Sequence, residues 1–269
     1  MSAASKLPTS GATNSGNARF NAEAAAWDAN PFVHTASKHA CDAILARFPD
    51  LSKDSPTYDV LEIGCGTGLL SLSLAPFTRN YVAVDAAEGM IEVLKRKVDS
   101  SNGISSNVKP IAALLEDPED PRLPPAEPSS PSSSSSPRLK YDLITSHLVL
   151  HHIPDLHGVL TTMLGCLKPG TGRLALTDFE DCGPHSKRFH SKAKMEGVER
   201  HGIPRKWMAN LMVEVGFVDV KVEEGFRMEK RVEKWEGEFS EGGGDGKVAK
   251  EGMGEIAVFP FLLCEGRRP

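Results

Sequence analysis

Three histidines stand close together in this chain, in the run Ser146-His147-Leu148-Val149-Leu150-His151-His152-Ile153-Pro154-Asp155. Histidine is the side chain whose ordinary pKa lies nearest physiological pH, so His147, His151 and His152 are candidates for a general base. A second group lies upstream, where Glu62 precedes Ile63-Gly64-Cys65-Gly66-Thr67-Gly68 and Asp85 follows. Glycines at that spacing let the backbone turn tightly and approach a nucleotide-like ligand. A carboxylate at Glu62 would repel a pyrophosphate but would accept hydrogen bonds from an amine or from hydroxyls. The pattern therefore points away from NAD and towards a cationic, phosphate-free cofactor.

These residues need elements to hold them. Asp59 to Ile63 is an apolar run ending at the glycines, and a helical pattern starts at Leu69, which together make a strand–turn–helix. Tyr81-Val82-Ala83-Val84-Asp85 is a second short strand, Asn107 to Leu114 a third and Tyr141 to Ser146 a fourth. Gly172 to Thr177, Phe217 to Val222 and Ile256 to Cys264 read as three more. Helical spacing appears over Phe20–Trp27, Val33–Phe48, Met90–Val98 and Leu156–Leu167, and again after Pro204 as far as Gly216. Strands alternating with helices imply right-handed βαβ units and an α/β, doubly wound, mostly parallel sheet. The last two strands have no helical pattern between them and are expected to pair as an antiparallel hairpin.

The bulk numbers bound what the chain can do. With 31 Lys and Arg against 36 Asp and Glu, the formal net charge is -5, which provides no global basic field for nucleic acid. No apolar run is long enough to span a bilayer, and the N-terminus lacks a signal-peptide pattern. Five scattered cysteines suit a reducing compartment, so the expectation is a cytoplasmic or nuclear protein. Residues 1–18 are small, polar and without period, and are expected to be disordered. Residues 19–269 are expected to form one domain with flexible insertions at about 118–138, rich in Pro and Ser, and 236–254, rich in Gly and charge.

Taken together, Val60-Leu61-Glu62-Ile63-Gly64-Cys65-Gly66-Thr67-Gly68, Val82-Ala83-Val84-Asp85, Tyr141-Asp142-Leu143-Ile144 with His151-His152-Ile153-Pro154-Asp155, and Leu167-Lys168-Pro169-Gly170-Thr171-Gly172 carry a resemblance. The chain resembles a class I S-adenosylmethionine-dependent methyltransferase from about Ala24 to the C-terminus, apart from the two loops. Gly197 to Ile203 and Val215-Gly216-Phe217 look like the small-molecule type of bacteria and fungi. The resemblance implies a Rossmann-like seven-stranded sheet in the order 3-2-1-4-5-7-6, strand 7 antiparallel, with helices on both faces. It implies S-adenosyl-L-methionine as cofactor, with Gly64, Cys65 and Gly66 around its methionine part and Glu62 in contact with it. Asp85 would accept both ribose hydroxyls, Ala86 and Met90 would wall the adenine, and Ser146 and His147 would lie near the sulfonium. The family usually places an acid after strand 3, where this chain has Leu114, so either the loop shifts and Glu116 or the neighbouring Asp117 serves, or backbone alone holds the adenine.

Trp27 and Phe32 are candidates for a lid over the substrate, and His190 and His201 fall in the variable region that would roof the site. The spacing of His185, His190 and His201 matches no compact ligand motif, and no metal is expected. Thr145-Ser146-His147-Leu148 stands where amino-methylating enzymes of adenine or glutamine carry Asn-Pro-Pro-aromatic. A small-molecule acceptor is therefore favoured. A protein or RNA acceptor, a catalytically idle cofactor-binding subunit and an NAD(P) oxidoreductase are the alternatives.

Overall fold

A computed structural model describes residues 12–52, 56–126, 136–241 and 253–269. Its centre is a seven-stranded sheet of order β3-β2-β1-β4-β5-β7-β6, formed by β1 (Asp59–Ile63), β2 (Asn80–Asp85), β3 (Val108–Ala112), β4 (Leu143–His147), β5 (Arg173–Phe179), β6 (Val218–Val232) and β7 (Glu255–Arg267). β1 to β5 are parallel, and β7 is antiparallel to both β5 and β6, as expected. The helices are α1 (Ala12–Trp27), α2 (Pro31–Arg47), α3 (Leu69–Leu74), α4 (Glu88–Ser100), α5 (Leu156–Cys166), α6 (Arg205–Val215) and the short α7 (Glu238–Glu241). Among the described residues no helix is long and apolar enough to cross a membrane.

The central strands read as near-continuous apolar runs because both faces are covered. Leu61, Val82, Val84, Leu174 and Leu176 point into one core cluster with Leu160, Met163 and Met212 of α5 and α6. Their neighbours Val60, Tyr81, Ala83 and Ala175 point into the other, with Ile44, Leu70, Ile91 and Leu94 of α2, α3 and α4. The change of side with every residue is the period of two of a strand. Helix boundaries follow local chemistry. Asn30 caps α2 by accepting from the Phe32 N–H at 3.0 Å, Asp155 caps α5 by accepting from the Gly158 N–H at 2.8 Å, and Gly216 ends α6 at φ 112.

Four expectations change. α1 begins at Ala12, so the expected disorder over residues 1–18 does not hold from residue 12 on, and residues 1–11 lie outside the described residues. β6 and β7 run for 15 and 13 residues and extend past the sheet as a two-stranded arm. The exposed, charge-rich alternation of Val218–Val232 hides its length, which comes from pairing with β7. The insertion at 118–138 is structured in part. Leu123 joins the core, the Ala126 N–H donates to the Pro137 carbonyl at 2.8 Å, and Pro125 bridges Arg138. In the insertion at 236–254, the Glu238 carboxylate accepts from the Lys234 and Gly254 N–H groups at 2.7 and 3.0 Å. Residues 127–135 and 242–252 lie outside the described residues.

Candidate functional site

At the carboxyl ends of β1, β2 and β4, where strand order reverses, the sheet opens into a cavity of about 580 Å³. Its floor is the turn after β1. The Gly64 and Cys65 N–H groups donate to the Val84 carbonyl at 2.8 and 3.0 Å, which ties the turn to β2. Gly64 takes φ 74 and faces Val149, leaving a Cβ no room. Asp85 ends β2 with both carboxylate oxygens engaged, accepting from Gly66 N–H and Ala87 N–H, each at 2.8 Å. Burial raises its pKa against those two bonds. Each oxygen keeps a further lone pair for a ligand hydroxyl.

Glu62, only 1% exposed, lines the cavity with its Oε2 accepting from Ser71 Oγ at 2.5 Å and Tyr81 OH at 2.9 Å. Burial pushes its pKa up to about 8, opposed by those two donors and assisted by Asp85. Glu62, Asp85, Glu116, Asp155 and Glu199 all line the cavity, and among the described lining residues none is a lysine or arginine. A pyrophosphate has no counter-charge there, whereas a cation does. The fit to S-adenosylmethionine rests on this balance together with the turn at Gly64 and the apolar wall of Ala86, Met90 and Leu114.

Above the turn lies α1. Asp28, just after it, accepts from Thr67 Oγ1 at 2.6 Å and pairs with Lys97. Arg19 donates to the carbonyls of Lys194 and Glu196 at 3.0 and 2.7 Å. The α1 segment thus links the glycine turn to the backbone at residues 194–196. Asn17, Phe20 and Trp27 face the cavity, and Phe20 meets His152 edge-on with centroids 5.2 Å apart.

Beyond β4 the histidines separate in role. His147 lines the cavity, its Nδ1 2.8 Å from Thr177 Oγ1, the residue it faces in the β4–β5 register. His152 also lines the cavity, and its Nδ1 donates to the Gly197 carbonyl at 2.6 Å, leaving Nε2 as the free nitrogen. Burial lowers the pKa of His147 to about 4 and, with His151 adding repulsion, that of His152 to about 3, so both rings are neutral. His151 is buried behind them, its Nδ1 2.9 Å from both oxygens of Asp178. Asp178 also accepts from the backbone of His151 and Phe179 and is held below the usual carboxylate range, burial being outweighed by His151 and these donors.

Of the residues singled out in the sequence, Glu62, Gly64, Cys65, Gly66, Asp85, Ala86, Met90, Glu116, Trp27, His147 and His152 surround the cavity. Glu116 lines it beside Leu114, so an acid does stand near the end of β3. Five residues stand elsewhere. Ser146 is fully buried and donates to the Ile63 carbonyl at 2.7 Å, stapling β4 to β1 instead of meeting a ligand. Phe32 turns away towards Phe189, centroids 5.8 Å apart, because α2 enters against the β6–β7 arm. His201 lies off the cavity, beside Gly202, whose Cα packs against the Glu180–Asp181 backbone. His190 and His151 sit one layer back, with ring centroids 5.0 Å apart. Asp28 and Asp178 escaped the sequence reading. For Asp178 a signal existed: an acid at the carboxyl end of the strand beside the one bearing the histidines.

The doubly wound sheet, the glycine turn at its switch point and the acid-lined cleft define an α/β domain built around a cofactor-type site. The chain belongs to the methyltransferase domain family, whose family model matches residues 32–222. It is 27% identical over 145 residues to an uncharacterized methyltransferase of Schizosaccharomyces pombe, covering 53% of this chain and 47% of that one. It is 28% identical over 112 residues to a ubiquinone biosynthesis O-methyltransferase of Coxiella burnetii, covering 41% and 39%. The chain thus spans less than half the length of these relatives. The fold is shared with the protein of the DhpI–SAH complex, at TM-score 0.59 and 18% identity over 97% of this chain and 98% of that one.

Proposed function

We propose that this protein transfers a methyl group from S-adenosylmethionine to a hydroxyl of a small, largely apolar acceptor. The observation that carries the reading is a cleft with five carboxylates and no lysine or arginine among its described lining residues, closed at one end by neutral histidines. Glu62 would meet the cofactor's ammonium, the Gly64–Gly66 backbone its methionine chain, Asp85 the ribose hydroxyls, and Ala86, Met90, Leu114 and Glu116 the adenine. The bound cofactor supplies an electrophilic methyl carbon on a sulfonium.

The protein's work is alignment and exclusion of water. Held in line with that carbon, the acceptor oxygen would take the methyl as sulfur keeps the electron pair of the broken C–S bond, and the hydroxyl proton would pass to bulk solvent outside the cleft. His147 and His152 accept hydrogen bonds and orient the hydroxyl. A ring whose pKa is about 3 is a poor resting place for a proton, so His152 is suited to orienting it and not to storing its charge. Phe20 and Trp27 on α1 give the acceptor an apolar wall. The O-methyltransferase relative supports an oxygen acceptor.

The test is transfer of labelled methyl to a panel of phenols, catechols, aliphatic alcohols and amines. Label on a hydroxyl, with one S-adenosylhomocysteine (SAH) formed per methyl, is expected. Transfer to amines alone, or no transfer by protein that binds SAH, would overturn the reading.

A further inference from the structure

Behind the cavity wall, His151, His152 and His190 bring one ring nitrogen each to within 4.8 Å of one another. Their ring centroids are 4.0, 5.0 and 5.8 Å apart. Two ring nitrogens of this cluster pose a question that the methyl-transfer reading does not answer. His151 Nε2 and His190 Nδ1 are buried and have no hydrogen-bond partner, although buried polar atoms are nearly always paired. His151 itself is 2% exposed, so solvent does not satisfy it.

The far sides of two of the rings are already engaged. His151 Nδ1 faces Asp178, and His152 Nδ1 faces the Gly197 carbonyl. A carboxylate or carbonyl on the distal nitrogen fixes the tautomer and directs the other lone pair, which is the arrangement that orients metal-binding histidines. Phe179 and Phe189, stacked with centroids 3.9 Å apart, give the cluster an apolar shell. The nearby cations do not close the site. Arg19 is paired with Glu23, and Lys230 lies over the Phe32 and Phe189 rings.

We propose that His151, His152 and His190 form a binding site for one divalent transition-metal ion. Three imidazoles suit zinc, cobalt, nickel or iron and not magnesium or calcium, which take oxygen ligands. Nitrogens around one tetrahedral zinc stand about 3.4 Å apart, and small ring rotations close the remaining gap. Three protein ligands leave a fourth position open, the pattern of catalytic and not of structural sites. His152 belongs both to the cluster and to the cavity lining, so the cluster adjoins the space proposed for the acceptor. An ion there would lower the pKa of an acceptor hydroxyl, a task that the weakly basic His147 and His152 cannot perform alone. This last role rests on the proposed methyl transfer to oxygen, with the ion and His147 orienting the hydroxyl in place of the His152 Nε2 that the ion occupies; the metal site itself does not rest on it.

The experiment uses the full chain, stripped with a chelator and titrated with Co²⁺ while visible absorption is followed. One equivalent bound, with ligand-field bands of a four-coordinate ion that Zn²⁺ abolishes, is expected. His190→Gln should lose the bands, and Asp178→Asn should weaken Co²⁺ binding by about 10–100-fold. Cys182→Ser should leave binding unchanged, since that thiol is exposed and outside the cluster. Thermal melting and SAH binding of each variant report the fold separately, and His152→Gln replaces any variant that does not fold. No stoichiometric Co²⁺ in the wild-type chain, or bands that persist in folded His190→Gln and His152→Gln, would overturn the site, whatever the methyl-transfer panel shows.

Discussion

At the scale of single residues, Glu62 and His152 couple the site to pH in opposite senses. Folding raises the Glu62 pKa from 4.5 to about 8, so between those values the folded chain holds the extra proton and stability falls as pH rises. A cofactor ammonium beside the carboxyl would reverse the shift and expel that proton. SAH binding at pH 7 should therefore release up to about one proton, read from the dependence of its calorimetric heat on buffer ionisation. Glu62→Gln should remove the release, and an unchanged value in that variant would place the ammonium elsewhere. His152 moves the other way, from 6.5 to about 3 on folding, so the unfolded chain binds the proton between those values. Stability should fall as pH drops from about 6.5 towards 3. Denaturant melts between pH 7 and 5 should show a shallower loss in His152→Gln.

At the scale of elements, the turn after β1 and the helix α1 carry the site. In Gly64→Ala the new Cβ would lie 2.5 Å from Val149 Cγ2 at a φ of 74. The backbone strain alone costs roughly 1–3 kcal/mol, and both melting temperature and SAH affinity should drop. Asp28→Ala removes the tie between α1 and Thr67, worth about 1 kcal/mol, so SAH should bind about 5-fold more weakly. Faster amide exchange over residues 17–27 should accompany that loss; unchanged exchange would show that α1 is held by its other contacts. The turn was readable from sequence because glycine spacing and a β-rich apolar run are local signals. α2 and α6 were readable for the same reason, α2 through its apolar spacing from Val33 and α6 through Pro204 with Gly216. The β6–β7 arm was not, since its strands owe their length to each other and present charged residues to solvent. α1 was read only in its second half, because its first residues lack an apolar period.

At the scale of the whole molecule, topology joins what sequence keeps apart. Parallel pairing of β4 and β5 puts His147 opposite Thr177, and Asp178 beside His151. No spacing rule announces a contact that spans the length of α5 and depends on which strands are neighbours. Ser146 shows the converse: the resemblance implied a place near the sulfonium, yet strand order gave it a buried backbone partner on β1. Phe32 likewise looked like part of a lid until the arm supplied Phe189. Glu62 and Asp85 were legible as cavity-lining acids because each lies at the carboxyl end of a strand that a local pattern defines. The central claim is that these acids and the glycine turn hold a cationic nucleoside without phosphate. It is tested most directly by calorimetric titration of the wild-type chain and Asp85→Ala with SAH and with NADH. The account predicts stoichiometric SAH binding, a loss of roughly 1–3 kcal/mol in the variant from leaving the ribose hydroxyls unpaired, and no tight NADH binding. Tight binding of NADH alone, or SAH affinity unchanged in Asp85→Ala, would contradict it.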